Sequence, residues 1–179
     1  GSLLFPLIYI FTDYIFFVPF LFFISLIILV INKNYTNFFS NYSFFKFFIS
    51  DVIRKYESSS LWGASYLIIG FLFISFIFDK HIVITSMLIS SISDSFAAIF
   101  GIKYGKIRIF NEKSIEGLYI FIISTFTILY FTLSLSIIYI LVISIVVAIT
   151  ELLTPTKYDN LSVPIISSIT IYVSLIWRF

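Results

Sequence analysis

The stretch IVITSMLISSISDSFAAIF, Ile82 to Phe100, decides how this chain folds. A helix rises about 1.5 Å per residue and the hydrocarbon core of a bilayer is about 30 Å thick, so about 20 mainly apolar residues reach across it. Ile82 to Phe100 meets that length and composition, yet it carries Ser90, Ser91, Ser93, Asp94 and Ser95 close to one end. An ionisable side chain within a span costs about 2.5 to 3.5 kcal/mol on insertion scales and usually faces a cavity. The stretch is therefore predicted to be a membrane-spanning helix with a chemical task near one end.

Working outward, four further regions have the same character. Leu3 to Ile31 is apolar but interrupted by Pro6, Thr12-Asp13 and Pro19, which predicts a bent lead-in followed by a span from Tyr14 to Ile31. Leu61 to Phe78 and Leu161 to Phe179 each supply one span, and Ile115 to Leu153 is long enough for two, with a turn near Thr132 to Ser136. The composition agrees: 60% of the 179 residues are hydrophobic and only 11% charged, with a mean hydropathy of +1.12, unlike a water-soluble domain. The expected fold is one all-α transmembrane domain, residues 1–179, a polytopic bundle of about six helices. A net charge of +2 is too small and scattered for a nucleic-acid partner, and the absence of cysteine excludes disulfides and thiolate metal sites. Gly1-Ser2 reads as a cleavage scar, which leaves room for an amino-terminal segment ahead of it.

The charges orient the bundle. Lys33, Lys46, Arg54 and Lys55 lie in the first long connection, and Lys103, Lys106, Arg108 and Lys113 in the second, with two spans between them. Both connections are thus expected on the cytoplasmic side of a cell membrane or an endoplasmic-reticulum-type membrane. In Phe38 to Glu57, the residues Ser43, Lys46, Ser50, Arg54 and Glu57 recur at helical steps among Phe, Val and Ile, as in an amphipathic helix. Placing it in the interface keeps both basic groups on one face, whereas a seventh span would separate them.

Every candidate for chemistry falls on that face. After Asp94, small residues at Ala97, Gly101 and Gly105 form an edge that suits close approach of a helix, a second copy of the chain, or a ligand. Lys103, Lys106 and Arg108 follow at once, and cations beside such a backbone suit a polyphosphate. Asn111-Glu112-Lys113-Ser114 opens the next helix, whose free N–H groups suit phosphate if they are not simply capped. Glu151 and Asp159-Asn160 add oxygen donors, so Asp94, Glu151 and Asp159 are candidate ligands for Mg²⁺ or another divalent cation. Arg54 is either part of a polar helix face or a phosphate contact.

In order, Ser93-Asp94-Ser95-Phe96-Ala97-Ala98, Gly101-Ile-Lys-Tyr-Gly105-Lys106 and Lys113-Ser114-Ile115-Glu116-Gly117 resemble the membrane CTP-dependent lipid kinases. That group comprises dolichol kinase, phytol and geranylgeraniol kinases and CTP-dependent diacylglycerol kinases. Glu151 and Asp159-Asn160-Leu-Ser-Val-Pro164 resemble its acidic residue and Asp-Asn-Leu-Thr-x-Pro stretch, and Arg54-Lys-Tyr-Glu57 its Arg-Glu-x-Glu. The Arg-Lys-x-x-His segment with which these kinases commonly open has no counterpart here.

The resemblance covers roughly residues 50 to 165 and implies transfer of the γ-phosphoryl group of CTP to a lipid alcohol taken from the bilayer. Asp94 would hold Mg²⁺ and orient the hydroxyl, with Lys113 and Ser114 on the phosphates. Lys103, Lys106 and Arg108 would neutralise charge, Glu116 and Asn160 would assist, and Gly101, Gly105 and Gly117 would keep the backbone near the nucleotide. The nucleotide segment would be about 90–117 and a second acidic segment about 150–164. An isoprenoid acceptor suits the small size better than diacylglycerol. A CTP:phosphatidate cytidylyltransferase would carry an Asp-Arg-x-Asp group, which is absent. A small transporter with intramembrane acids would leave the basic link unexplained.

Overall fold

The computed structural model of the chain describes residues 2–33, 63–110, 113–156 and 158–177. The amphipathic segment Phe38 to Glu57, with Arg54, lies outside the described residues, as do Trp62 and Asn111-Glu112.

The broken lead-in becomes a short helix, α1 (Leu4–Phe11), set off from α2 (Tyr14–Lys33) at Thr12-Asp13. The Asp13 carbonyl accepts the N–H groups of Phe16 and Phe17, starting α2 afresh, and Tyr9 stacks on Phe17 across the break with ring centroids 3.9 Å apart. The open carbonyl end of α1 is closed from a distance: Lys80 Nζ donates to the carbonyls of Thr12 (2.8 Å) and Ile10 (3.3 Å) and lies over the Tyr9 ring. A cation at a helix carboxyl end satisfies carbonyls that the helix leaves unpaired and meets the negative end of its dipole.

After α3 (Gly63–Ile77), the stretch that opened the sequence reading is one continuous rod of 25 residues, Lys80 to Tyr104. It runs as α4 (Lys80–Leu88), a π-helical turn (Ile89–Ser93) and α5 (Asp94–Tyr104). The π turn inserts an extra residue into the helical repeat immediately ahead of Asp94, a local distortion that is frequent at functional positions. The basic link, expected as a plain connection, contains a small antiparallel ribbon, β1 (Arg108–Phe110) with β2 (Lys113–Ser114). The remaining elements are α6 (Ile115–Thr132), α7 (Ile137–Leu153), which turn about residues 133–136 as expected, and α8 (Asp159–Ile176).

Among the described residues the architecture is all-α apart from that ribbon. Among the described residues, three helices are long and apolar enough to cross a membrane, namely Lys80–Tyr104, Ile115–Thr132 and Asp159–Ile176. The apolar helices Tyr14–Val30, Gly63–Ile77 and Ile137–Leu153 are shorter. The outer surface carries large apolar side chains such as Phe11, Ile15, Phe131 and Ile138, a pattern that lipid rather than water would cover.

The rod is central, and α4 touches α1, α3, α6 and α8. One side of the core joins it to α1, α2 and α3 through Tyr9, Phe17, Phe71, Val83 and Met87; the other joins it to α6, α7 and α8 through Ile89, Phe121, Ile143 and Val163. Buried hydroxyls reinforce the second side, with Thr125 Oγ1 3.0 Å from Ser93 Oγ and Ser168 Oγ 2.9 Å from Ser86 Oγ. Gly70 lets α3 approach α8, since a Cβ there would meet Pro164 Cγ at 3.2 Å.

Lys80→Met removes the cap on α1 and is expected to cost about 1 kcal/mol of stability, read as an earlier midpoint in SDS-induced unfolding. An unchanged midpoint would show that α1 needs no such cap.

Candidate functional site

Four charged side chains meet where helix ends converge. Asp94 opens α5, Glu151 lies in the last turn of α7, Asp159 opens α8, and Lys113 sits on β2 just before α6. Lys113 Nζ is 2.8 Å from Glu151 Oε1 and 3.2 Å from Asp159 Oδ2, and it also donates to the backbone carbonyl of Glu151. The three side chains are only 12%, 8% and 9% exposed, so the pairing is largely shielded from water. Asp159 Oδ1 accepts the N–H of Asn160 at 2.8 Å, which fixes the second oxygen of that carboxylate.

Asp94, Glu151 and Asp159 each offer one oxygen within 4.8 Å of the others. Oxygens around one octahedral Mg²⁺ at about 2.1 Å lie about 3 Å apart at neighbouring positions and about 4.2 Å apart at opposite ones, so the three carboxylates would draw closer together to seat the ion. The donor set is entirely carboxylate oxygen, the chemistry that such a hard cation prefers. The residues present therefore fit a divalent cation.

Around the cluster lies a cleft of about 850 Å³. Its walls combine the charged groups with Arg108, Ser114, Thr156 and Asn160, and with apolar positions on α5, β1 and α6. Asp94, Ala98 and Ile102, spaced four apart on α5, share one wall. The cleft thus combines charged and apolar lining, suited to a molecule that has both characters.

The sequence-predicted residues divide. Asp94, Arg108, Lys113, Ser114, Glu151, Asp159, Asn160, Gly101 and Gly117 all border the cleft. Lys103, Gly105, Lys106 and Glu116 are not among the residues lining it. Lys103 extends over the Tyr104 ring, 5.2 Å from its centroid, and Lys106 is exposed. Glu116 Oε1 accepts the backbone N–H of Lys106 at 3.0 Å, so it fastens the basic link to the start of α6.

The glycines also have a packing role. Ser114 Oγ caps α6 by accepting the Gly117 N–H at 3.1 Å, and that hydroxyl sits where side chains at the glycines would be. A Cβ on Gly101 would lie 2.9 Å from Ser114 Oγ and one on Gly117 3.2 Å from it, while one on Gly105 would overlap the Gly101 carbonyl oxygen and Ser114. The small-residue edge is the seam where α5 and α6 close over the cap. Sequence reasoning missed Thr156 and the apolar lining at Ile102, Ile109 and Leu118, because one apolar residue among many carries no distinguishing pattern.

No protein-family model matches the chain, and no solved structure matches it. The chain is 34% identical over 175 residues to the uncharacterized protein RP860 of Rickettsia prowazekii, covering 92% of this chain and 85% of that one. It belongs to the family of that rickettsial protein.

Gly105→Ala is expected to destabilise the fold by about 2 kcal/mol, because the clash involves backbone that cannot swing away. Ser114→Ala is expected to lose about 1 kcal/mol, the worth of a cap. Unfolding midpoints of both variants check the packing, and a neutral Gly105→Ala would contradict it.

Proposed function

We propose that this protein is a membrane lipid kinase that transfers the γ-phosphoryl group of CTP to an isoprenoid, polyprenol-type alcohol, giving a lipid monophosphate and CDP. The observation that carries the reading is the convergence of Asp94, Glu151 and Asp159 with Lys113 in a cleft that also has apolar lining. The resemblance of residues 93–117 and 151–164 to the CTP-dependent lipid kinases supplies the donor and acceptor classes.

Phosphoryl transfer demands little covalent help; it depends on position and on neutralising charge as it spreads over the phosphate oxygens. Asp94, Glu151 and Asp159 would hold a divalent cation such as Mg²⁺, which would supply positive charge to offset that of the phosphates. Lys113 and Arg108 present further positive charge to the same space. Asp94 borders the apolar wall made by Ala98 and Ile102, which puts a carboxylate beside the route of a lipid chain. There it orients the acceptor hydroxyl and accepts its proton as the oxygen attacks the γ-phosphorus. Lys103 and Lys106 act from the exposed rim, drawing the anionic nucleotide in without contacting it at the reacting centre.

In this reading the chain has six spans, including the three shorter helices, and Phe38 to Glu57 lies in the interface. The cleft faces the cytoplasm. Because the chain has no cysteine, orientation is tested by single replacements. In intact cells or sealed inverted vesicles, a thiol at Lys106→Cys should react only from the cytoplasmic side and one at Ser136→Cys only from the other. Labelling of both from one side would refute the six-span arrangement.

Activity is tested with γ-labelled CTP and a panel of geranylgeraniol, phytol, dolichol and diacylglycerol in detergent. Label is expected on an isoprenoid alcohol, with Asp94→Asn and Lys113→Ala slower by about 100-fold or more. Transfer to diacylglycerol alone would reassign the acceptor, pyrophosphate release with cytidine on the lipid would mark a cytidylyltransferase, and no transfer to any alcohol would refute the kinase.

A further inference from the structure

We propose that Lys113 is a displaceable counter-ion: its ammonium holds Glu151 and Asp159 until a divalent cation takes them over, and the freed side chain then turns into the cleft towards phosphate. This rests on reading the three carboxylates as a metal site.

The contacts carry the inference. Nζ lies 2.8 Å from Glu151 Oε1 and 3.2 Å from Asp159 Oδ2, so it occupies the space between two of the three acids that would ligate the ion. A cation bound at about 2.1 Å to those oxygens would stand against the ammonium as a like charge in a shielded site. A cation that takes those two oxygens competes with the ammonium for them.

The residue type suits exchange. Lysine is a compact point charge on a flexible four-carbon stem, whereas an arginine fork would grip a carboxylate through two bonds and release it less readily. The backbone of Lys113 is held on β2 opposite Phe110, so only the stem has to move. The side chain already lines the cleft together with Arg108, and anionic phosphate there offers it a replacement partner. Before loading, the ammonium keeps two shielded carboxylates from repelling each other. After loading, the same charge faces the substrate, so arrival of the metal and placement of the lysine become one event.

Two measurements on the purified full-length chain in detergent test this without turnover. The first titrates Mn²⁺ alone, followed by electron paramagnetic resonance. Removing the competitor in Lys113→Met should tighten Mn²⁺ binding about fivefold or more. Lys113→Arg should weaken it. Wild-type binding that is unchanged or weakened in Lys113→Met overturns the exchange while leaving the metal reading intact; no Mn²⁺ binding by wild type or Lys113→Met overturns both.

The second keeps the native sequence, in case the methionine variant does not fold. Acylation of Lys113 by an amine-directed reagent, quantified by peptide mass spectrometry against Lys80, should accelerate several-fold with saturating Mg²⁺. An unchanged or slower rate at Lys113 overturns the exchange.

Discussion

Burying charge in a membrane protein is costly unless the charges answer one another, and the Lys113, Glu151 and Asp159 cluster is where this chain meets that cost. Each partner comes from the end of a different element: the ribbon strand before α6, the last turn of α7 and the first residue of α8. Pairing them therefore fixes how three helix ends sit together. The lysine also donates to the Glu151 carbonyl, near a helix end whose carbonyls lack partners within the helix. Loss of Lys113 would leave two shielded carboxylates without their shared cation, so site and fold stand on the same interaction.

Asp94 reaches this cluster by a different route. It lies within the 25-residue rod, directly after the π turn, rather than at a free helix end. The rod is fixed on both sides, by apolar packing against α1 to α3 and by hydroxyl pairs and apolar contacts with α6 and α8. Next to Asp94, α5 closes on α6 through Ala97, Gly101 and Gly117 with Ser114 between them. One seam thus positions the first acid and the amino end of the helix beside Lys113.

Much of this was legible because polar residues in an apolar chain need a reason. Asp94 stands out within a span, and Glu151 and Asp159 flank a turn on the same face; the structure brings all three within 4.8 Å. The turn between α6 and α7 follows from length alone. Other features had no signature in the sequence. Lys113 reads as a phosphate ligand, yet its present partners are acids 38 and 46 residues away. Glycine spacing says that something approaches closely, without saying that the Ser114 cap is among what does. The π turn arises where serines replace good helix formers, but composition does not distinguish it from a regular turn. Lys80 reads as a charge in a loop, whereas its role depends on the carbonyl end of α1, 68 residues earlier in the chain.

The reading of the cluster as a place where phosphate meets metal is tested most directly by ³¹P hyperfine spectroscopy of Mn²⁺ bound to the purified chain with a non-hydrolysable CTP analogue. Strong phosphorus coupling, from phosphate oxygens bound directly to Mn²⁺, is expected in the wild type and should vanish in Asp94→Asn/Glu151→Gln. Bound Mn²⁺ without phosphorus coupling, or coupling that survives the double substitution, would contradict the assignment.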